Sequence, residues 1–344
     1  MVMKRNIPWL GAVLLSSVLL CPVLQADDGE VNLYSARKEN LIKPLLDRFT
    51  EQTGIQVNLL TGKADALLKR LQSEGRNSPA DLLITTDAGR LHRAVEAGVT
   101  QPVQSELLST VVPEAFRDPQ GQWYGLSLRA RPILYVKGEV EPDTLSTYED
   151  LADPRWKGRI CIRSSNNIYN QSLVASLITA NGEPTTETWA KGLVKNLARP
   201  PKGGDRDQIK AAAAGICDLA IANTYYLAGM LKSNDEAQRA AAEKMGVFWP
   251  NQQGRGAHVN VSGGAVTAAA KNREHAIKLL EFLAGKEAQH WYAETNGEYP
   301  IRADVEVDVR LRSWGEFKMD SLNLHKLGEL NPNALRLMDR VGWK

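Results

Sequence analysis

The segment "ICDLAIANTYY", from Ile216 to Tyr226, repeats the pattern of the segment "PADLLITTD", from Pro79 to Asp87. In both segments a small residue and an Asp precede an apolar strand, and the strand ends in polar residues. A pattern that occurs twice in one chain favours two similar lobes, and buried strands between helical segments are typical of an α/β sheet. The sequence therefore predicts an α/β protein with two lobes.

A β-α-β unit lies at the start of the first lobe. The alternating strand "VNLYSA" is followed by "ENLIKPLLDRFTEQTG", whose apolar residues recur on one face of a helix that ends at Gly54. The next segment, "IQVNLLTG", has the pattern of a second strand. Such a unit begins a parallel sheet, so we expect each lobe to contain a mixed, mostly parallel sheet flanked by helices.

Polar side chains follow the matching strands of the two lobes. In open parallel sheets, ligands bind beyond the carboxyl ends of the strands. This rule places Thr85, Thr86 and Asp87 on the rim of a cleft, opposite the segment from Asn223 to Tyr226. We therefore predict a ligand cleft between the two lobes.

Two long extended segments flank the second lobe and would connect it to the first. They are "QWYGLSLRARPILYVKG", from Gln122 to Gly138, and "GVFWPNQQGRGAHVNVSGGAVT", from Gly246 to Thr267. We place the hinge near residues 125–131 and again near 227–258. The predicted first lobe comprises residues 27–127 and about 257–300, and the predicted second lobe comprises about 128–256 and the C-terminal helices in 301–344.

Residues 1–26 have the order of a secretory signal peptide. Lys4 and Arg5 precede an apolar run from Ile7 to Leu24, and "LQA" ends at Ala26 just before the acidic "DDGE". A membrane anchor is the alternative, but Pro8 and Pro22 bracket an apolar core that is short for a span. A lipid anchor on Cys21 is a second alternative, although the bulky Leu20 stands where a small residue is expected before such a cysteine.

Charge and cysteine content narrow the partners and the compartment. The chain has 42 Lys and Arg and 40 Asp and Glu, and the signal segment holds two of the basic residues and none of the acidic ones. The remainder is formally neutral, so we expect no nucleic-acid partner. Export leaves Cys161 and Cys217, for which the sequence leaves two possibilities open, a disulfide or two separately buried thiols.

The sequence lacks the usual local signatures of enzymes. It contains no G-x-S-x-G, H-E-x-x-H or C-x-x-C motif, and its five histidines are scattered. Ser262 lies beside glycines in "VSGGAV" but without the strand-to-helix context of a nucleophile. These observations argue against a hydrolase and against a histidine-based zinc site.

Tyrosine carries the chemical signal. Tyr225 and Tyr226 follow one predicted strand, and Tyr169 in "RSSNNIYNQS" follows the strand "GRICIR" of the same lobe. Each tyrosine could simply bury its ring and expose its hydroxyl. Three phenols at matched strand ends instead suggest a metal site. Ionising phenols at neutral pH requires a strong Lewis acid, and a hard trivalent cation such as Fe(III) suits oxygen ligands of this kind.

The chain resembles the periplasmic ferric-ion-binding proteins of bacterial ABC transporters, a branch of the type II periplasmic binding proteins that shares its fold with transferrin lobes. The resemblance covers the mature chain through "VNLYSARKE", "ADLLITTDAG", "YGLSLRARPILY", "WKGRICIRSSNNIYNQSL", "CDLAIANTYYLAGM" and "NGEYP". It implies a monomeric periplasmic binding protein that is not an enzyme. It also implies delivery of Fe(III) to an inner-membrane ABC permease and its ATPase.

The resemblance also implies roles for individual residues. Tyr169, Tyr225 and Tyr226 would be the iron ligands. An accompanying anion, such as carbonate or phosphate, would complete the coordination. The residues at the positions that hold this anion are Ser165, Asn166 and Asn223.

The first lobe departs from the family pattern at three positions. Lys38 stands where many members have a histidine, four residues after Tyr34, and Glu39 stands where some have a tyrosine. Thr86 replaces a glutamate ligand used elsewhere in the family. We therefore expect the first lobe to contribute no neutral nitrogen ligand.

Positive charge would be the first lobe's contribution instead. Arg37, with Arg129 or Arg131, could bind a carbonate-like anion through two parallel hydrogen bonds. The alternatives are a surface salt bridge between Arg37 and Glu39 and structural hinge contacts for the other two arginines. Tyr34 lies within its strand, so we favour a role in packing or in supporting the site.

Two other functions are compatible with the sequence. A type II binding protein for a polyamine, thiamine or phosphonate would use aromatic stacking or an anion-binding loop, and polyamines would require acidic residues in the cleft. Asp87 is the acidic side chain that the pattern places there. A secreted enzyme on the same fold is the other rival, for which the sequence offers no nucleophile with a suitable context.

Overall fold

The computed structural model describes residues 29–344, and the predicted signal segment lies outside these residues. Strands of two separate sheets form the centres of the two lobes. In chain order the strands are β1 (Glu30–Ser35), β2 (Gln56–Thr61), β3 (Leu82–Thr86), β4 (Tyr124–Ala130), β5 (Ile133–Val136), β6 (Ile160–Cys161), β7 (Leu219–Ile221), β8 (Met245–Phe248) and β9 (Val259–Val266).

Helices cover both sheets and form the C-terminal part of the chain. They are α1 (Glu39–Thr53), α2 (Ala64–Glu74), α3 (Ala88–Glu96), α4 (Glu106–Val111), α5 (Ile168–Asn181), α6 (Glu183–Lys195), α7 (Asp205–Ala213), α8 (Thr224–Leu231), α9 (Glu236–Glu243), α10 (Arg273–Ala284), α11 (Lys286–Trp291), α12 (Val309–Arg312), α13 (His325–Glu329) and α14 (Asn331–Arg340). Within residues 29–344, no helix is long and apolar enough to cross a membrane.

Both sheets are mixed. The first has the order β2-β1-β3-β9-β4, in which β1 is parallel to β2 and β3, while β9 runs antiparallel to β3 and β4. The second has the order β6-β7-β5-β8, in which β6 is parallel to β7, while β5 runs antiparallel to β7 and β8. The predicted two-lobe α/β fold with mixed sheets and flanking helices is confirmed.

Helix α1 shows how the local pattern determines the packing. Its residues Ile42, Leu45, Leu46 and Phe49 are buried, as expected for apolar residues that recur on one helical face. Gly54 ends the helix with φ +80°, a left-handed conformation that glycine adopts without steric cost, and its N–H bonds the carbonyl of Thr50. The chain then enters β2, which pairs in parallel with β1.

The chain passes between the sheets twice through extended segments. It leaves β4 at Ala130 and enters β5 at Ile133, and it returns between Phe248 at the end of β8 and Val259 at the start of β9. Near the C-terminus, α13 packs against α3 beside the first sheet and against α5 beside the second, whereas α14 packs on α5 and α6. The lobe boundaries given above stay a prediction.

A disulfide joins Cys161 at the end of β6 to Cys217, two residues before β7, with 5.9 Å between their Cα atoms. Of the two possibilities that the sequence left open, the structure therefore contains the bridge. The bridge therefore joins the end of β6 to the segment that enters β7, its parallel neighbour, and both strands lead to the predicted tyrosine site.

Candidate metal centre

Tyr169 lies in the first turn of α5. The segment 162–167 connects β6 to this helix, and Asn167 caps the helix, its side-chain oxygen accepting a hydrogen bond from the Tyr169 N–H at 3.2 Å. Asn is a preferred N-cap because its side chain satisfies one of the free N–H groups at a helix start. The cap therefore determines where the helix begins and, with it, the position of Tyr169.

Tyr225 and Tyr226 lie in the first turn of α8. The strand β7 ends at Ile221, and Asn223 precedes the helix in an extended conformation. In an extended strand, neighbouring side chains point to opposite faces, but a helical turn separates them by only about 100°. The two rings accordingly lie beside each other, with 4.3 Å between their centroids.

The tyrosines of these two helices meet. The Tyr225 hydroxyl donates a hydrogen bond to the Tyr169 hydroxyl at 3.2 Å. Burial raises the pKa of Tyr225 well above its ordinary value, and Tyr169 and Tyr226 raise it further. Burial, followed by Tyr169, raises the pKa of Tyr226 to about 12. In this structure both phenols are therefore protonated at neutral pH, and a metal must displace their protons to bind phenolate oxygen.

Two cations flank the phenols. The Arg129 guanidinium lies 5.9 Å from the ring centroid of Tyr225, and that of Arg206 lies 5.1 Å from the ring centroid of Tyr226. Positive charge near a phenol favours its ionised form. Arg129 belongs to β4 of the first sheet and is 2% exposed, so a buried cation of the first lobe contacts the tyrosines of the second.

Arg37 and Arg129 share a buried carboxylate. The Arg37 guanidinium donates to Glu298 at 2.8 Å and to the Ser127 hydroxyl at 2.6 Å, and Arg129 donates to the other Glu298 oxygen at 3.4 Å. Arg129 also bonds Ser262 and the carbonyl of Val261. Arg37 therefore pairs with Glu298 rather than with Glu39.

Arg131 lies in a different environment from the other two arginines. One of its nitrogens donates to Asp205 at 2.8 Å and to the Asn223 side-chain oxygen at 2.9 Å, and the other donates to Asn170 at 2.7 Å. It is 1% exposed. These contacts correspond to the structural role that the sequence allowed as an alternative.

The remaining predicted residues occupy several environments. Ser165 and Asn166 lie in the turn before Tyr169, where the Ser165 carbonyl accepts a hydrogen bond from Gln171 at 2.9 Å. The side-chain amide nitrogen of Asn223 is buried and has no hydrogen-bond partner among residues 29–344. Tyr34 is not brought to the other tyrosines, and its hydroxyl bonds Glu74 at 3.0 Å.

The first-lobe positions that depart from the family pattern are near the strand ends. Lys38 and Glu39 are exposed at the start of α1, and Thr86 accepts a hydrogen bond from Arg90 at 3.3 Å. Asp87 is buried, and its oxygens accept hydrogen bonds from Ser172 at 2.7 Å and Asn260 at 2.9 Å. Its carboxylate is therefore engaged within the protein.

Sequence reasoning missed two acidic residues, Glu298 and Asp205. Glu298 lies in the quoted motif "NGEYP" without an assigned role, and its partners Arg37 and Arg129 are 261 and 169 positions away. Asp205 begins α7, and its partner Arg131 is 74 positions away. The spacing of residues along the chain carries no signal for contacts of this kind.

Among residues 29–344, no group of three or more His, Cys, Asp or Glu could hold a metal ion. The tyrosine cluster is a different donor set, made of neutral oxygen groups that become anionic ligands when they lose their protons. The arrangement can therefore bind a hard cation of high charge.

The two-lobe fold and the cluster of polar side chains at the boundary of the lobes define a solute-binding protein. The family profile of bacterial extracellular solute-binding proteins matches residues 77–322, and the chain belongs to this family.

Similar proteins of known description agree with this assignment. The chain is 55% identical to iron uptake protein A1 of Synechocystis sp. (strain PCC 6803) over 318 residues, which cover 92% of this chain and 88% of the relative. It is 49% identical to iron uptake protein A2 of the same organism over 321 residues, covering 93% and 91%. The solved structure of Trichodesmium IdiA (FutA) in complex with iron and citrate ligands is similar with a TM-score of 0.90 and 54% identity, covering 92% of this chain and all of that one.

Proposed function

We propose that this chain is a periplasmic binding protein that captures Fe(III) through Tyr169, Tyr225 and Tyr226 and delivers it to an inner-membrane ABC permease driven by its ATPase. The observation that carries the proposal is the contact of the Tyr225 and Tyr169 hydroxyls at 3.2 Å, with Tyr226 beside them. Three phenolates would balance the three charges of Fe(III). The names of the similar iron uptake proteins support this cargo.

An anion would complete the coordination of the metal. The buried amide nitrogen of Asn223, which has no partner within residues 29–344, is a donor suited to an anion oxygen. Ser165 and Asn166 precede Tyr169 on the same turn and would contribute further donors. Carbonate or a similar oxyanion fits this set, and the similar Trichodesmium protein holds citrate together with iron.

The remaining features follow from this role. Residues 1–26 would direct export to the periplasm and be removed. The protein would act as a monomer without catalysing a reaction, and its two lobes would close on the metal by a hinge motion, as in other two-lobe binding proteins.

The test is the visible charge-transfer band that phenolate ligands give to bound Fe(III). The wild-type protein, loaded with Fe(III) at neutral pH, should show this band. Y225F and Y226F each delete one ligand oxygen and little volume, so each should weaken Fe(III) binding by ~100-fold or more, given that even supporting residues of metal sites contribute ~10–100-fold.

Y34F is the matched control, because it removes a tyrosine hydroxyl that bonds Glu74 away from the cluster. Its band and Fe(III) affinity should equal those of the wild type. A wild-type protein without a band after ferric loading would refute the proposal, as would wild-type affinity in both Y225F and Y226F.

A further inference from the structure

Asp205 is a buried carboxylate behind the tyrosine cluster. It begins α7 and is 1% exposed. One oxygen accepts hydrogen bonds from Arg131 at 2.8 Å and from the backbone N–H of Asn223 at 3.3 Å. The other oxygen accepts from Arg163 at 2.5 Å. Both oxygens are therefore engaged, and each has a cationic partner.

The partners of Asp205 come from the segments that carry the tyrosines. Arg163 lies six residues before Tyr169, in the connection between β6 and α5. Asn223 lies two residues before Tyr225, at the start of α8. One carboxylate thus holds the approaches to both tyrosine-bearing helices.

Arg131 connects Asp205 to the first turn of α5. It bonds Asp205, and its second nitrogen donates to the side-chain oxygen of Asn170 at 2.7 Å. Asn170 follows Tyr169 and donates back to the carbonyl of Arg163 at 2.7 Å. The start of α5 is therefore bound to Asp205 through two routes, one by Arg163 and one by Arg131 and Asn170.

The geometry points to Asp205 as the positioning residue of the tyrosine site. We propose that it fixes the start of α5 relative to the start of α8 and so sets the distance between the Tyr169 and Tyr225 hydroxyls. Its importance for Fe(III) rests on the function proposed above. An amide at this position keeps the shape of the side chain but loses the negative charge that pairs with the buried Arg131 and the partly buried Arg163.

The experiment compares D205N with D218N. Asp218 pairs with Arg159 in the same lobe and is only partly buried, so D218N breaks an ion pair that does not involve the tyrosine-bearing turns. D205N should weaken Fe(III) binding by ~10–100-fold, the usual effect of removing a residue that orients a metal ligand. It should also move the wavelength of the phenolate charge-transfer band, whereas D218N should change neither quantity. Wild-type affinity and an unchanged band in folded D205N would overturn the proposal.

A second readout does not depend on iron. NMR of the metal-free protein with selectively labelled tyrosine rings should show shifted resonances for Tyr169 and Tyr225 in D205N and unchanged ones in D218N. If the wild-type protein gives no band with Fe(III), the proposed function fails, and these resonances alone decide the role of Asp205. Unchanged Tyr169 and Tyr225 resonances in D205N would overturn it.

A milder variant covers the case in which D205N does not fold. R163Q removes one cationic partner of Asp205 and leaves Arg131 in place, and the Arg163 side chain is 21% exposed. R163Q should shift the Tyr169 resonance more than that of Tyr225 and should weaken Fe(III) binding. Equal shifts for both tyrosines, or none, would contradict the proposed network.

Discussion

Glu298 brings together two arginines that the sequence assigns to an anion. Burial opposes its ionisation, but the charges of Arg37 and Arg129 outweigh this effect and lower the pKa of Glu298. The carboxylate is therefore ionised at neutral pH and cancels one of the two positive charges. The guanidinium that lies over the ring of Tyr225 is that of Arg129. It therefore already has a counter-ion within the protein, the carboxylate of Glu298.

Replacing Glu298 should lower the anion concentration that ferric loading requires. In E298Q the two guanidiniums lose their charged partner, so citrate or bicarbonate should bind there through charge-assisted hydrogen bonds. One such bond is worth about 1.5–3 kcal/mol, which corresponds to about tenfold or more in anion affinity. The measurement is the anion concentration that gives half-maximal charge-transfer absorbance at fixed Fe(III).

E183Q is the control for this experiment, because Glu183 pairs with Arg340 on the surface of the second lobe. It should need the same anion concentration as the wild type. If E298Q also needs the wild-type concentration, Glu298 does not compete with the anion, and the anion binds only on the side of the tyrosines.

At the residue scale, local rules predicted the tyrosines, whereas the buried charges could not be predicted. The rule that ligands lie beyond strand ends selected Tyr169, Tyr225 and Tyr226, and the structure brings them together; their role as ligands stays a prediction. Glu298 and Asp205 have partners that lie from 18 to 261 positions away in the chain. Such pairings depend on the packing of whole elements, so a single sequence contains no local pattern for them.

At the scale of elements, the parallel pair β6 and β7 positions the site. Ile160 pairs with Leu219, and Cys161 pairs with Ala220, so the two strands end side by side and release α5 and α8 at the same edge. The sequence predicted these strands and the polar residues that follow them, because apolar runs that end in polar residues are local features. Whether Cys161 and Cys217 are joined depended on their distance in the fold and could not be predicted.

Removing the disulfide should lower stability without abolishing metal binding. Cys161 and Cys217 are 56 positions apart, and closing a loop of that length restricts the unfolded chain by about 4 kcal/mol. C161A/C217A should therefore lose about that much free energy of unfolding, measured in urea. The strand pairing remains, so the folded variant should keep its ferric charge-transfer band.

Wild-type protein unfolded in the presence of a reductant is the control for this variant, and its unfolding midpoint should approach that of C161A/C217A. A variant as stable as the oxidised wild type would show that the bridge contributes nothing to stability. Loss of the band in the folded variant would show that the bridge, and not the strand pairing, holds the two tyrosine-bearing turns together.

At the scale of the whole molecule, His258 lies where the chain returns from the second sheet to the first. Its backbone N–H donates to the Tyr148 hydroxyl and its carbonyl accepts from the Arg131 N–H, both at 3.1 Å. Burial, with smaller effects from Arg255 and Arg131, lowers the pKa of His258 to about 3. A crossing between the lobes therefore contains an imidazole that is neutral in the folded protein.

This histidine should make the folded protein sensitive to acid. In the unfolded chain His258 has a pKa near 6.5, so between about pH 6.5 and pH 3 the unfolded state binds a proton that the folded state does not, and stability falls as the pH falls. From pH 7 to pH 5 this single group should cost about 2 kcal/mol. The measurement is the free energy of unfolding in urea at pH 7 and at pH 5. Between these pH values H258Q should lose about 2 kcal/mol less of this free energy than the wild type. H290Q, which replaces an exposed histidine, is the control and should lose as much as the wild type. The same loss in H258Q and the wild type would mean that His258 takes up its proton without unfolding and that acid acts on the molecule elsewhere.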